Sequence, residues 1–376
     1  MKKIYSTIFF LSLCVLAGVN PLLVWSAPLI TNVQGSITNA QSITISGSGF
    51  GSTGPTIILF DDFENGKNGN IISTAEGSAQ VGQWDYTEIS PDHPVYSTSF
   101  YHSGSKSMLA DQASSDGGHW AAVTFPTTSN VFVSHWVYLP STSHVPGAGG
   151  GYGANWKVGD ISGGNFPYYA SNYTTLVTLQ DLTPTVGFQG PNPWHNADGL
   201  TESGYTTTSW RKGSWHRFDN YYAGGKSSNG VLQFWEMNES TPRVLRYSNT
   251  NATTLRSSDA GWSWFRLHSY GRQDSNARCF YDDVYVAVGP AARARVEICN
   301  NASYSSATNC AIFTPTSWSN TSITATVRMG SFTNGLAYLF VIDSAGTTSP
   351  SGYPITIGGG GGETPPSAPN GLHVVD

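Results

Sequence analysis

Hydrophobic positions along this chain occur in short runs that alternate with polar ones, and Gly, Asn, Ser and Pro interrupt them at frequent intervals. No long segment has the spacing of an amphipathic helix, whereas such alternation is typical of β-strands. Between residues 56 and 289 we predict strands at 56–63, 107–110, 121–125, 131–139, 176–180, 214–222, 231–237, 263–270 and 280–288. That density predicts an all-β fold, a two-sheet antiparallel sandwich formed by one domain.

The two ends of the chain look like two parts of one small domain. Residues 28–55 contain a Pro-led strand, an alternating Ile-Thr-Ile strand and a Gly-Ser-Gly-Phe-Gly corner, and residues 292–357 supply the runs TSITATV, AYLFVI and YPITI that should follow such a corner. Together they resemble an immunoglobulin-like domain of the IPT/TIG type, which implies a small Ig-like β-sandwich acting as a spacer or adhesion module. We expect this domain to consist of residues 27–55 and 290–357.

The inserted segment 56–289 carries an ordered set of motifs. They are FDDFENG from residue 60, HSGSKSM from 102, FVSHWVYLP from 132, GSWHRFDNYY from 213, GVLQFWEMN from 230 and YDDVYVAVG from 281. The set resembles the concanavalin A-like lectin/glucanase jelly roll, nearest to the branch of polysaccharide lyases and laminin-G-type modules. The resemblance implies a jelly-roll sandwich whose concave face receives a glycan. Since both ends of the insertion leave one domain, residues 56 and 289 should lie close together.

The charge of the chain limits its expected partners, and its first residues predict its cellular location. Only 11% of its residues are charged and the net charge is −6, so nucleic acids and anionic membranes are poor partners. Residues 1–26 have two lysines, an apolar run and small residues before a cleavage position, which predicts a signal peptide and a secreted or cell-surface protein, extracellular or periplasmic. No later run is apolar enough to span a bilayer. Residues 358–376 begin with a glycine linker and continue like the first strand of a fibronectin type III domain.

Cysteine positions predict one disulfide. Cys299 and Cys310 lie close in sequence within the returning half of the terminal domain, and an oxidising compartment would join them; two buried thiols on neighbouring strands are the alternative. Cys279 has no obvious mate and should be a small buried hydrophobic residue.

Acidic residues concentrate on the first and last strands of the inserted segment, at Asp61, Asp62, Glu64, Asp282 and Asp283. These strands should be neighbours, so the five carboxylates would converge, and Ca²⁺ is the counter-ion that accepts a flexible shell of oxygen ligands. The resemblance to calcium-containing jelly rolls implies that carbonyl groups of the turn at 102–105 complete the shell. The alternative is a set of carboxylates that point to solvent.

Large side chains occur on both faces of several central strands, which a half-exposed strand should not show. A concave groove would explain them, because aromatic rings stack on sugars while Arg, Gln and His bind hydroxyls and carboxylates. A second small core beneath long loops is the alternative. The predicted binding residues are Trp136, Trp156, Trp194, His195, Gln233, Trp235 and Arg266.

Three functions remain open at this point. Non-catalytic glycan recognition, as in a lectin or carbohydrate-binding module, is the main prediction. A polysaccharide lyase is the enzymatic alternative, because β-elimination from a uronate needs proton carriers and a cation, and the resemblance assigns such roles to His135, His216, Arg217, Tyr221 and His268. Glycoside hydrolysis is disfavoured because the Glu-x-Asp-x-x-Glu strand of the related glucanases is missing. A structural or adhesive cell-surface role is the third hypothesis.

Overall fold

Strands dominate the computed structural model, which describes residues 26–88, 93–112, 119–143, 156–164, 174–175, 178–181, 186–189, 192–193, 205–270 and 277–358. In chain order they are β1 (Leu29–Gln34), β2 (Ser42–Ser48), β3 (Thr56–Asp61), β4 (Tyr86–Thr87), β5 (Val95–Ser97), β6 (Ser107–Gln112), β7 (His119–Thr128), β8 (Asn130–Tyr138), β9 (Trp156–Ser162), β10 (Thr174–Thr175), β11 (Thr178–Asp181), β12 (Val186–Gln189), β13 (Asn192–Pro193), β14 (Tyr205–Trp210), β15 (Trp215–Ala223), β16 (Gly230–Asn238), β17 (Thr241–Ala252), β18 (Trp262–Tyr270), β19 (Ala277–Val288), β20 (Arg295–Cys299), β21 (Cys310–Trp318), β22 (Ser322–Thr326), β23 (Gly335–Ile342) and β24 (Tyr353–Ile357). One short 3₁₀ turn spans Tyr304–Ser306.

Two antiparallel sheets form a jelly-roll sandwich from the central part of the chain, as the alternation predicts. The first sheet has the order β17-β16-β15-β8-β19-β6-β5, with β3 also beside β19. The second has the order β14-β12-β11-β9-β18-β7-β4, with β10 and β13 at its side. Thr56 pairs with Val288, so the two ends of the sandwich are adjacent, as expected.

The jelly-roll core lies between these sheets and takes alternate residues of each strand. On β8, Val131, Val133 and Val137 point into this core, whereas Phe132 and Trp136 belong to other clusters on the opposite face. Because successive side chains of a strand point to opposite faces, the first sheet is apolar on both sides. Cys279 is buried as a free thiol, as predicted.

Strands from both chain ends share a third sheet, of order β1-β2-β22-β21-β20-β23-β24, which we call the terminal module. Strand β2 pairs directly with β22, from Ser42 opposite Thr326 to Ser46 opposite Ser322. The first half of β21 pairs with β20 and its second half with β22, so the sheet folds over its own core. The domain boundaries and the IPT/TIG assignment stay predictions.

The predicted disulfide between Cys299 and Cys310 is present and joins β20 to β21. It lies beside Trp136 and Trp215 of the jelly roll, in a cluster that both units share. Within the described part of the chain, no helix is long and apolar enough to cross a membrane. The predicted signal peptide and the C-terminal tail lie outside the described residues.

Candidate functional site

The outer face of the first sheet, where we expected a sugar-binding groove, is covered by the terminal module. Trp136 packs with Phe340 and Ile342, while Tyr221 and Trp235 belong to a cluster with Ile312. Tyr221 and Trp235 are each only 9% exposed and Trp136 only 2%. The groove prediction is therefore wrong for Trp136 and Trp235, and the predicted catalytic Tyr221 is buried with them: the large side chains form a second core against the terminal module.

Arg217 lies in the same interface and is fully engaged there. Its guanidinium binds Glu297 of the terminal module through two nitrogens, and its Nε donates to Asp219 and Ser134. Burial alone would raise the pKa of Asp219, but the charges of Arg217 and Arg243 outweigh it and hold that pKa below its usual range. Arg217 is thus a junction residue, and its predicted lyase role is wrong for this arrangement.

The two histidines predicted as proton carriers on the first sheet point towards the jelly-roll interior. His135 is fully buried, edge-on to Phe218 and Tyr281, and neither ring nitrogen has a hydrogen-bond partner among the described residues. Burial lowers its pKa to about 3, so this imidazole is neutral at ordinary pH. His216 is 1% exposed and its Nδ1 lies 2.8 Å from Oε1 of Glu236. Neither imidazole reaches an open surface.

Gln233, also predicted to bind sugar, is half-buried near the edge of the first sheet, and its side-chain amide donates to Ser248. Trp194 and His195 lie outside the described residues, as do the side chains of Trp156 and His268. The structure thus does not bring the predicted catalytic residues together: they are distributed over a core, an interface and a different sheet.

The second sheet presents a different set of residues on its outer face. Tyr86 is paired with Ala122, Ala122 with Arg266, and Arg266 with Asp160, which forms one row across β4, β7, β18 and β9. Paired residues point to the same face of a sheet, and the residues flanking Arg266 belong to the jelly-roll core. The row therefore faces away from the core. Tyr86 is 44% exposed, whereas Ala122 and Asp160 are fully buried and Arg266 is 7% exposed.

Arg266 is held rigidly in this row. Its Nη2 lies 2.7 Å from Oδ2 of Asp160 and its Nε 3.2 Å from Oδ1, a bidentate pair in which both side chains are buried. Such a planar fork fixes the guanidinium more firmly than a single contact would. The guanidinium carbon is 5.9 Å from the Trp120 ring and 5.7 Å from the Trp264 ring, within cation–π range.

The immediate surroundings of Arg266 extend this aromatic and polar face. Trp120 is paired with His268, and Trp264 with Thr124 and Ser162. Sequence patterns predict Arg266 and His268 as site residues but do not reveal Asp160, Trp120 and Trp264. The signal for Trp264 was its position two residues before Arg266 on one strand, because such residues share a face.

The five acidic residues lie near the junction of β3 and β19, but each is bound by donors of the protein. Backbone N–H groups of His102 and Ser103 donate to Asp282, and those of Ser105 and Lys106 donate to Glu64. The turn at 102–105 therefore presents N–H donors where a calcium shell would need carbonyl oxygens.

Asp61, Asp62 and Asp283 follow the same pattern. Asp61 accepts from the Trp84 indole and the Phe63 amide, Asp62 accepts from the Glu64 amide, and Asp283 accepts from the Ser103 hydroxyl. Burial raises the pKa of Asp61 to about 7, and burial together with the charge of Asp283 raises that of Asp62 to about 6.

Across the described residues, no three of the five acids bring ligand atoms within 4.8 Å of one another. The grouping that does so comprises Glu297 and the two disulfide-bonded cysteines, whose sulfurs are not free to bind metal. In this arrangement the five acids do not fit a shared calcium shell, and a chelator experiment tests the calcium prediction directly.

No protein-family model matches the chain, and a search of curated proteins finds no match. Among solved structures it is similar to an endo-β-1,4-glucuronan lyase from the fungus Trichoderma reesei, with 11% identity over 62% of this chain and 96% of the other and a TM-score of 0.42. A marine alginate lyase from Aplysia kurodai is similar at 12% identity, with coverage of 62% and 100% and a TM-score of 0.42. The catalytic domain of a glycoside hydrolase family 131 protein from Coprinopsis cinerea is similar at 15% identity, with coverage of 62% and 95% and a TM-score of 0.34. At such identities and TM-scores no conclusion about the activity of this chain follows.

Proposed function

We propose that this protein binds an anionic polysaccharide on the outer face of the second jelly-roll sheet and cleaves it by β-elimination. The observation that carries the proposal is the fixed guanidinium of Arg266 beside the partly exposed Trp120, in a row that ends at the exposed Tyr86. Indole rings stack on the apolar faces of sugar rings, and a guanidinium binds carboxylates. The first sheet offers no comparable face because the terminal module covers it.

The proposed chemistry assigns Arg266 to the uronate carboxylate. Neutralising that carboxylate lowers the cost of removing the proton on the adjacent carbon, and the electron pair released there expels the glycosidic oxygen. His268, paired with Trp120 on this sheet, is the proposed proton carrier. The products are an unsaturated uronate end and a new reducing end, and no water is consumed.

Non-catalytic binding is the second candidate, and one observation favours it. The bidentate contact with Asp160 already balances the charge of Arg266, so the pair presents little net positive charge to a uronate. A neutral hydrogen-bonding pair suits the hydroxyl groups of a sugar better than it suits an elimination.

A polysaccharide panel separates the two functions. The purified protein is mixed with uronate-containing and neutral polysaccharides, and binding and the ultraviolet absorbance of unsaturated ends are recorded together. New absorbance that Arg266→Ala abolishes supports the lyase. Binding without absorbance, also lost in Arg266→Ala, supports the binding module.

The matched control is Arg278→Ala. Arg278 also forms a pair with an aspartate, Asp111, but it is on the first sheet and its side chain is 52% exposed. Equal loss of binding in both variants, or no binding to any member of the panel, would contradict the proposed face.

A further inference from the structure

Three side chains from distant parts of the sequence form a hydrogen-bonded series at the junction of the jelly roll and the terminal module. Oδ2 of Asp283 lies 3.0 Å from Nδ1 of His102, and Nε2 of the same ring lies 3.3 Å from Oγ of Ser331. His102 and Asp283 belong to the jelly roll, and Ser331 to the turn between β22 and β23 of the terminal module. We propose that these residues form a second, hydrolytic site, with Ser331 as the nucleophile, that acts on short-chain acyl esters.

The contacts of His102 fix the orientation and the tautomer of its ring. Its ring is stacked on Trp136 with 3.7 Å between ring centroids, and its side chain is only 2% exposed. With Asp283 accepting a hydrogen bond from Nδ1, the proton resides on Nδ1 and the lone pair of Nε2 faces the serine. This is the tautomer that a general base for a serine hydroxyl requires.

The aspartate is aimed at the histidine by an irregularity in β19. Pairing with β8 shifts between Asp282 and Tyr285, and Asp283 has a φ of +47°, the left-handed region that aspartate tolerates better than most residues. Ser103 donates a second hydrogen bond to this carboxylate. Backbone strain of this kind is maintained where the surrounding structure specifies it, and active sites are common examples.

The serine is accessible. Ser331 is exposed and follows Gly330, whose φ is +53° and where a Cβ would lie 2.8 Å from the Cβ of Ala311. A glycine therefore allows the turn to approach the junction closely. Asn309 donates to Oγ of Ser331 at 3.0 Å, and the backbone N–H of Ser331 makes no hydrogen bond among the described residues. Asn309 thus positions the serine hydroxyl, and the backbone N–H of Ser331 is available for a carbonyl oxygen that becomes negatively charged.

A small cleft next to this series indicates the size of the acyl group. Trp136, Asp283, Ala311, Arg328 and Gly330 are among its lining residues, and it has room for little more than one water-sized group. A long acyl chain does not fit this cleft.

The chemistry balances without a cofactor. Oγ of Ser331 forms a bond with the ester carbonyl carbon while its proton passes to Nε2 of His102. That proton then passes to the alcohol oxygen as the carbon–oxygen bond breaks, and water repeats the sequence to release the acid and restore the serine. The net reaction converts ester and water to acid and alcohol.

A covalent probe of activated serines tests the proposal independently of the polysaccharide site. The purified protein is treated with a fluorophosphonate, the modified peptide is identified by mass spectrometry, and hydrolysis of p-nitrophenyl acetate is followed in parallel. We expect modification at Ser331, and we expect both signals to fall to background in Ser331→Ala. Ser305→Ala, which changes an exposed serine of the same module whose hydroxyl is hydrogen-bonded to that of Ser303, should leave both unchanged.

The variant Asp283→Asn tests whether Asp283 is needed in the hydrogen-bonded series with His102 and Ser331. Asparagine also tolerates a positive φ, so the turn should persist, while the histidine loses the partner that fixes its tautomer. We expect labelling to slow by about tenfold or more in a protein that stays folded. No modification of Ser331, or equal ester hydrolysis by the wild type and Ser331→Ala, would overturn the proposal.

Discussion

The guanidinium of Arg217 on the jelly roll and the carboxylate of Glu297 on the terminal module form a bidentate ion pair, with Nη2 to Oε1 at 2.9 Å and Nη1 to Oε2 at 3.2 Å. Both side chains are at most 2% exposed. Arg295 also contacts Glu297, and Tyr304 donates to its second oxygen. The contact joins the two units through two charges that are removed from water. Loss of either partner would leave the other as a buried charge with one counter-charge fewer.

Removing one charge of this pair should destabilise the protein strongly. We expect Glu297→Gln to cost about 3–5 kcal/mol, because Arg217 and Arg295 then lose a buried counter-charge that both of them contact. The free energy of unfolding in urea measures the effect. Asp111→Asn, which removes the partner of the more exposed Arg278, should cost less than about 1 kcal/mol. An equal loss of unfolding free energy in the two variants would show that the buried Arg217–Glu297 pair contributes no more than an exposed pair.

Opening the Cys299–Cys310 disulfide should also destabilise the junction. The bridge closes a short loop between β20 and β21 beside Trp136. We expect the double variant Cys299→Ala, Cys310→Ala to lose about 2–4 kcal/mol, measured by chemical denaturation. A reductant should lower the melting temperature of the wild type and leave the double variant unaffected. Sensitivity of the double variant to reductant would indicate that another thiol is responsible.

Stability should depend on pH through Asp62. The folded protein raises its pKa from 3.8 to about 6, chiefly by burial and then by the charge of Asp283, so the folded state binds this proton more tightly than the unfolded chain does. The stabilisation is complete below about pH 4 and is lost as the pH rises through about 6. Asp62→Asn should therefore gain about 3 kcal/mol relative to wild type between pH 4 and pH 7.5. An Asp62→Asn variant whose stability changes with pH as wild type does would contradict this assignment.

Calcium has a direct test at the same place. The carboxylates around β3 and β19 accept hydrogen bonds from the protein, and among the described residues no three converge on one point. We expect a calcium chelator to leave the melting temperature unchanged. A loss of stability on chelation that added Ca²⁺ restores, and that Asp283→Asn abolishes, would establish the calcium site and would also exclude the proposed role of Asp283 as the partner of His102.

Much of the architecture follows from local patterns that the sequence displays directly. The alternation around Val131, Val133 and Val137 predicts a strand with one core face, and the spacing of Cys299 and Cys310 predicts their bridge. Both depend on residues close together in the chain, where side-chain periodicity determines which neighbours meet.

The location of the candidate site could not be predicted in the same way. Large residues on both faces of β8 are expected for a sugar-binding groove and equally for a second core, and the choice depends on whether another unit covers the sheet. The contact that decides it joins Arg217 to Glu297, 80 residues further along the chain. Asp160 and Arg266 are 106 residues apart in the chain, and they lie side by side because β9 and β18 are neighbours in the sheet. No local pattern encodes either contact.

The two sheets can be compared directly as glycan-binding surfaces. Arg266→Ala on the second sheet and Gln233→Ala on the first are each measured for binding to the polysaccharide that the wild type binds best, after their melting temperatures have been compared. We expect Arg266→Ala to weaken binding at least about tenfold, a loss of about 1.4 kcal/mol, and Gln233→Ala to bind like the wild type. Undiminished binding by Arg266→Ala together with loss in Gln233→Ala would place the groove on the first sheet and contradict the account.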